Sequence, residues 1–263
     1  MILTLISWNT NGLLARMEKG DLIPLLHHNP EIVCFQETRV APPDVAEWLR
    51  TLYGYRSWFS PLWEDRYYGV GMIARISPKA VSFSAGDPRT DGQGRIMLAD
   101  FQAFTLINVY VPAGDGGAGA TGKKLAFLDG LLDTVARLQN RGSPVVVCGD
   151  FCIAHTDQDL SDPAIRMGYR NPGMTVEERA RLDRLIGLGF IDPFRMIDRE
   201  NVASAGWRTG HGLRQQDLCW RRDYFFISSE LRDRLKSCSA LKDVRGFDHN
   251  PVLIEFEIAE DTG

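Results

Sequence analysis

The stretch Pro144-Val145-Val146-Val147-Cys148-Gly149-Asp150-Phe151-Cys152-Ile153-Ala154-His155 constrains the fold more than any other part of the chain. An apolar, β-branched run that stops at a glycine and then delivers a carboxylate reads as a strand covered on both faces with a polar group at its end. The design recurs. Ser7-Trp8-Asn9-Thr10-Asn11-Gly12 lies near the N-terminus, Gln36-Glu37-Thr38 follows Ile32-Val33-Cys34-Phe35, and Phe247-Asp248-His249-Asn250-Pro251 precedes Val252-Leu253-Ile254. Polar groups at the ends of separate buried strands meet where the strands converge. Asn9, Glu37, Asp150, Asp248 and His249 are therefore expected to share one cleft.

Strands and helices alternate along the chain. Strands are expected at Leu3–Trp8, Glu31–Phe35, Gly69–Ala74, Arg95–Phe101, Phe104–Val111, Val145–Gly149, Tyr224–Ser228 and Val252–Ile258, the last alternating as though one face neared solvent. Leu125, Leu128, Leu131, Leu132, Val135 and Leu138 recur at helical spacing before Arg141-Gly142, and Thr175-Val176-Glu177-Glu178 is a capping box opening a second helix. Gly114–Ala120 is glycine-rich but lacks the lysine and threonine of a nucleotide P-loop, and reads as a surface turn. Layered α/β is the simplest architecture, and 263 residues with 44% apolar content can bury a large core.

Composition excludes several classes. No apolar stretch approaches the ~20 residues of a membrane span, and the start lacks the basic residues of a secretory signal, so a soluble, cytoplasmic protein without a membrane partner is expected. Five cysteines without CxxC spacing indicate reduced, mostly buried thiols. A net charge of −4 argues mildly against nucleic acid as a partner. Against that, Trp207-Arg208-Thr209-Gly210-His211-Gly212-Leu213-Arg214 and Trp220-Arg221-Arg222 interleave tryptophan with arginine, which suits phosphates and stacked bases. An ordinary solvated loop would read the same way.

The strand-end residues suit one chemistry. Asn9 and Glu37 offer the oxygen ligands that hold Mg²⁺, an ion that keeps several waters and takes one or two carboxylates from protein. Asp150 can orient or deprotonate a water, and His249 can offset charge on a phosphate oxygen. Together they point to metal-dependent phosphodiester hydrolysis by in-line attack.

Ser7–Gly12, Cys34-Phe35-Gln36-Glu37-Thr38, Asn108-Val109-Tyr110-Val111-Pro112, Gly149-Asp150-Phe151, Trp220–Tyr224 and Asp248–Val252 resemble, in order, the signature blocks of the exonuclease III family of AP endonucleases. The resemblance runs from about residue 2 to 257. It implies a DNase I-like, four-layered α/β sandwich of two packed β-sheets flanked by helices, formed by residues 1–263 as one domain. It also implies Mg²⁺ or Mn²⁺ as cofactor and duplex DNA, abasic or at a 3′ end, as partner. Abasic-site incision, 3′–5′ exonuclease and 3′-end trimming in base excision repair would be the activities, by a monomer with no obligate protein partner. Carried over by position, Asn9 and Glu37 form the metal group, with Asp248 joining. Asp150 handles the water, Tyr110 contacts the scissile phosphate, and Asp223 orients His249. Asn11 supports the Asn9 turn or faces the site; with Trp207, Arg208, Trp220 and Arg222 it makes up the expected substrate contacts.

The departures concern the substrate side. The family reads Gly-Asp-Phe-Asn or Gly-Asp-Met-Asn where this chain has Gly149-Asp150-Phe151-Cys152, so Cys152 puts a weak donor at a catalytic position usually held by an amide. Gly206 precedes Trp207 where an aromatic residue is common, Ala113 follows Pro112 where an asparagine is frequent, and Tyr68 replaces a frequent serine. Altered substrate preference or reduced activity is expected. Rival readings are a catalytically weak DNA-binding member of the fold and a phosphodiesterase acting on a phosphate ester other than DNA.

Overall fold

The apolar runs become the central strands of two six-stranded sheets, and the computed structural model describes them within residues 2–40, 54–60, 69–160, 173–197, 220–244 and 248–258. In the first sheet β1 (Ile2–Asn9), β2 (Ile32–Gln36), β3 (Arg56–Phe59), β4 (Val70–Ala74), β11 (Leu235–Ala240) and β12 (Val252–Glu257) take the order β11-β12-β1-β2-β4-β3. The second contains β5 (Ala80–Ser82), β6 (Ile96–Asp100), β7 (Thr105–Tyr110), β8 (Val145–Asp150), β9 (Phe190–Ile191) and β10 (Asp223–Ser228) in the order β5-β6-β7-β8-β10-β9. Both sheets are mixed: β1 with β2 and β7 with β8 are parallel, and the remaining pairs are antiparallel.

Alternate side chains of each strand serve different layers. Val146 and Cys148 point into a core shared with Leu5, Cys34, Met72 and Ile254 of the other sheet. Val145 and Val147 face outward, onto Phe127, Leu128, Leu131 and Val135 of α3 (Ala120–Gln139) and Leu182 and Leu185 of α4 (Val176–Gly187). On the far side Ile6, Trp8, Val33 and Phe35 pack under Leu13 of α1 (Leu13–Glu18) and Leu22 and Leu25 of α2 (Leu22–His27). The result is the expected helix–sheet–sheet–helix sandwich, with α5 (Pro193–Ile197) lying against β11 of the first sheet and β10 of the second and putting Phe194 into the core between them.

Every expected strand is present within a residue or two of its bounds. The unexpected ones, β3, β5, β9 and β11, are the sheet edges. Edge strands are short or polar, as Leu235-Lys236-Ser237-Cys238-Ser239-Ala240 illustrates, because an unpaired rim must be blunted, and so they leave no apolar run to read. The expected solvent-facing alternation of β12 fails over its first half. Val252, Leu253 and Ile254 are all buried because β12 lies between β11 and β1 with helices beyond, and only Glu255 and Glu257 face outward.

Both helix signals hold. The Thr175 box closes reciprocally, its hydroxyl accepting from the Glu178 N–H at 3.3 Å and the Glu178 carboxylate accepting from the Thr175 N–H at 3.0 Å. The glycine-rich turn leads into the start of α3, with Gly119 in the left-handed region at φ 83°. Cys34, Cys148, Cys152 and Cys238 are buried free thiols. Among the described residues no helix is long and apolar enough to cross a membrane.

Two features fix the sheets near the site. Asn108 on β7 is fully buried, donating from Nδ2 to the carbonyls of Phe35 (3.1 Å) and Gly71 (2.9 Å) while its Oδ1 accepts from Gln36 Nε2 at 2.7 Å. This satisfied polar strut pins one sheet to the other at a fixed level. Gly149, at φ 136°, has no room for a side chain: a Cβ there would sit 1.9 Å from the Val109 carbonyl oxygen. The close approach of β8 to β7 depends on that glycine.

Candidate active site

The sheet register sets the site. Across β7, β8 and β10 the residues Tyr110, Asp150 and Asp223 stand in one row. In the other sheet Asn9 pairs with Gln36, so Glu37 leaves β2 at the level where β1 ends, and Ser7 pairs with Val252, so Asp248 and His249 enter at the same end. Trp8, itself in the core, donates from Nε1 to the His249 carbonyl at 3.2 Å and anchors that turn.

These side chains form one connected group. Asn9 Nδ2 donates to Glu37 Oε1 and to Asp150 Oδ2, each at 3.0 Å. Asp150 Oδ1 accepts from the Cys152 N–H at 2.8 Å. Asp150 Oδ2 stands 3.9 Å from His249 Nε2, and His249 Nδ1 donates to Asp223 Oδ2 at 2.7 Å. The strand-end pattern put Asn9, Glu37, Asp150 and His249 in one cleft, and the structure brings them together; Asp223, which the resemblance implied would orient His249, bonds its Nδ1.

The electrostatics separate the roles. Burial works against the His249 imidazolium, but the Asp223 carboxylate outweighs it and raises the pKa to about 9. For Asp150 burial is again the largest influence and opposes charge. The charges of His249 and Arg222, then the Cys152 and Asn9 N–H donors, reverse it and keep the carboxyl below its ordinary value. Asp150 is thus an anion facing a cationic imidazole. Tyr110 is buried, with the Arg95 guanidinium 4.5 Å over its ring, and burial first of all pushes its phenol up. It stays a neutral O–H donor.

Four non-glycine residues here hold left-handed backbone: Asn11 (φ 47°), Glu37 (φ 47°), Arg39 (φ 51°) and Cys152 (φ 52°). Such strain persists only where surroundings impose it. Asn11 turns its N–H onto Asn9 Oδ1 at 3.0 Å, which is the supporting role considered for it. Thr10 and Gly12 donate to the Glu37 carbonyl. Arg39 Nη2 lies 2.5 Å from Glu37 Oε2.

The metal group needs a finer description. Asn9 meets the two carboxylates with its amide nitrogen, a donor, while its oxygen takes the Asn11 N–H, so in this arrangement it bridges Glu37 and Asp150. The donor atoms of Asp150, Asp223 and His249 all lie within 4.8 Å of one another. Among the described residues, Asp223 Oδ1 and Asp248 Oδ1 are buried with no hydrogen-bond partner, a costly state for a carboxylate oxygen and one that a cation would relieve. Hard oxygen donors and two orphaned carboxylate oxygens fit a divalent ion.

The arginine-tryptophan segment divides. Arg222 is half-buried in the site, its Nη2 3.3 Å from His249 Nε2. Arg221, read with it as a phosphate contact, is buried instead: it pairs with Asp159 at 2.7 Å and with Asp192, and stacks on Tyr224 at 4.3 Å. In an extended stretch neighbouring side chains face opposite ways, so only one of the pair reaches the cleft. Trp220 packs on Ala154, Leu160 and Met174. Trp207, Arg208, Gly206, Tyr68 and Cys219 lie outside the described residues.

Sequence reasoning missed a buried ion pair behind the site. Lys124 on α3 and Glu178 on α4 meet at 2.6 Å with neither side chain exposed, and Lys124 Nζ also donates to the Cys152 carbonyl at 2.8 Å and the Ala113 carbonyl at 3.2 Å. The capping box flagged Glu178, but only as a cap; nothing in the spacing joined it to Lys124.

The Endonuclease/Exonuclease/phosphatase family model matches residues 6–243. The chain is 33% identical over 267 residues to recombination repair protein 1 of Drosophila melanogaster, covering 97% of this chain and 37% of that longer protein. It is 30% identical over 257 residues to an exodeoxyribonuclease of Bacillus subtilis (strain 168), covering 97% of this chain and 99% of the relative. The solved structure of the 3′-5′ exonuclease NExo from Neisseria meningitidis superposes with a TM-score of 0.84 at 26% identity, covering 97% of this chain and all 100% of the other. The chain belongs to the Endonuclease/Exonuclease/phosphatase family, on its branch of exodeoxyribonucleases and AP endonucleases.

Proposed function

We propose that the protein is a divalent-metal-dependent DNA phosphodiesterase of repair, acting at abasic sites and 3′ ends. The observation that carries this is the connected group Glu37–Asn9–Asp150 beside the His249–Asp223 pair, an anionic base facing a cationic imidazole across 3.9 Å. The names of its relatives, among them a DNA-(apurinic or apyrimidinic site) endonuclease and an exodeoxyribonuclease, support DNA as the substrate.

Each residue then has a task. Glu37 and Asp248 would hold Mg²⁺ or Mn²⁺, which when bound offsets charge on the phosphate as a Lewis acid. Asp150 accepts the proton of the attacking water as its oxygen bonds to phosphorus. The P–O bond opposite breaks, and the leaving oxygen departs with the electron pair and takes a proton from solvent. His249, held by Asp223, donates to a non-bridging oxygen, and Tyr110 donates to the same phosphate. Asn9 fixes Glu37 and Asp150 at one level. Trp220 and residues 207 and 208 would border the DNA, and the protein works as a cytoplasmic monomer in this reading.

The test compares duplex DNA carrying an abasic site, intact duplex with free 3′ ends, single strands, and a small aryl phosphodiester, under Mg²⁺ and under Mn²⁺. Cleavage of abasic or 3′-end duplex well above the aryl ester is expected with either ion. Turnover of the aryl ester with all DNA left intact would overturn the reading.

A further inference from the structure

The reaction above gives no task to Arg222, a charged side chain of the cleft that, unlike Arg39 on Glu37, has no carboxylate partner among the described residues. A guanidinium offers five N–H donors and accepts nothing. Among the described residues the polar atom its guanidinium approaches is His249 Nε2, 3.3 Å away and in the imidazolium itself a donor, and no carboxylate comes within ion-pair distance, so its N–H groups are left for an acceptor between them. Burial opposes its charge, yet the carboxylates of Asp150, Asp223 and Asp248 around it outweigh burial and hold its pKa above the usual arginine value. It is a cation kept in place by a field of acids without being consumed by any of them.

Its direction is informative. His249 commits Nδ1 to Asp223, so Nε2 is the edge it turns toward Asp150, 3.9 Å away. Arg222 Nη2 therefore converges with that edge on the space in front of the base, where a phosphorus must sit for the water held by Asp150 to reach it. Two nitrogens 3.3 Å apart match the two non-bridging oxygens of a phosphoryl group, and a guanidinium binds such oxygens as a fork.

Cys152 explains why a second donor is needed. Its N–H is spent on Asp150 and its carbonyl on Lys124, and its thiol is buried and pushed up by that burial and by Asp150, so the side chain brings a protonated, weak donor to the site. Arg222 and Cys152 flank the same base: the Cys152 N–H bonds Asp150 Oδ1, and the Arg222 guanidinium meets His249 Nε2, which stands 3.9 Å from Asp150 Oδ2.

Resting on the phosphodiesterase reading, we propose that Arg222 is a catalytic residue: its guanidinium donates beside His249 to the non-bridging oxygens of the scissile phosphate and supplies the hydrogen bond that the Cys152 side chain cannot. Those oxygens gain charge as the water's oxygen bonds to phosphorus and before the leaving oxygen departs, so the contact strengthens in the transition state.

The test uses the full chain with Arg222→Gln, Arg222→Lys, Cys152→Asn and the double variant Cys152→Asn/Arg222→Gln. Arg222→Gln should lower kcat about 10²-fold with KM for DNA within about threefold, and Arg222→Lys, which keeps charge but loses the fork, should fall between. Asparagine tolerates the left-handed backbone of position 152 better than cysteine, so Cys152→Asn should fold at least as well. It should raise kcat more in the Arg222→Gln background than in the wild type. Equal gains in both would overturn the claim that Arg222 covers for Cys152, and an Arg222→Gln effect confined to KM would overturn the catalytic role. Should Arg222→Gln melt early, the kinetics are read from Arg222→Lys, where wild-type kcat would overturn the proposal. Inorganic phosphate titrated calorimetrically into metal-free protein gives an arm independent of nuclease activity. About tenfold weaker binding to Arg222→Gln is expected, and unchanged binding sinks the proposal even if DNA is cleaved. If instead wild type cleaves no DNA but phosphate binding depends on Arg222, the nuclease reading fails alone.

Discussion

Asp150→Asn should lower kcat on the preferred DNA substrate by about 10³-fold, since general base catalysis contributes about 10² to 10⁴. The substitution is close to isosteric but removes both the base and an acceptor. Asp150 now takes the Cys152 N–H at Oδ1 and the Asn9 Nδ2 at Oδ2. An amide can satisfy one of these with its oxygen and must turn its own NH₂ against the other, so either the Cys152 turn or the Asn9 bridge is released. Releasing Asn9 also loosens Glu37, which shares the same nitrogen. Single-turnover cleavage, with DNA binding measured separately, should show the loss in the chemical step. A variant that cleaves at the wild-type rate would remove Asp150 from the chemistry.

The parts of the fold legible in the sequence are those where burial leaves a one-dimensional trace. Strands β1, β2, β7 and β8 have apolar neighbours on both faces and were readable as continuous runs; β3, β5, β9 and β11 trade that signal for the polarity an edge requires. Asp150, His249 and Glu37 were legible because each ends or begins an apolar run. What escaped is long-range pairing. Nothing local distinguishes Lys124, on a helix of otherwise apolar contacts, from a solvated lysine, and Asn108 inside β7 gives no hint that it crosses to β2 and β4. Arg221 and Arg222 are adjacent and chemically identical, yet one is a strut between Asp159 and Asp192 and the other reaches His249. The difference comes from the direction of the backbone leading into β10.

Lys124→Met should cost about 3–5 kcal/mol at neutral pH, on the order of 10 °C in Tm, the usual penalty for stranding one member of a buried pair. Burial pushes the Glu178 carboxyl up, and Lys124, with the Gly173 and Thr175 N–H groups, more than reverses it, so the folded pKa is depressed. A depressed carboxylate pKa gives stability that is complete above the ordinary glutamate range and lost as pH falls through the folded value. Without Lys124 the sign inverts: the uncompensated carboxylate takes up a proton on folding, and the variant gains relative to wild type as the solution is acidified. Urea unfolding at pH 7 and at about pH 5 should therefore show a gap that narrows toward the lower pH. Adding Glu178→Gln, which keeps an acceptor for Gly173 and removes the stranded charge, should restore more than half of the lost stability at pH 7. A Tm unchanged at pH 7 would mean that the pair carries no load. The consequence for catalysis follows from the second role of the ammonium. Lys124 holds the Cys152 carbonyl, the same oxygen that crowds Gly173, where a Cβ would come within 2.6 Å of it. With Lys124 gone the left-handed turn at Cys152 loses a restraint, and the N–H that steadies Asp150 moves with it. Folded Lys124→Met should consequently show a lower kcat even well below its Tm, whereas a change on a distant helix face would lower stability alone.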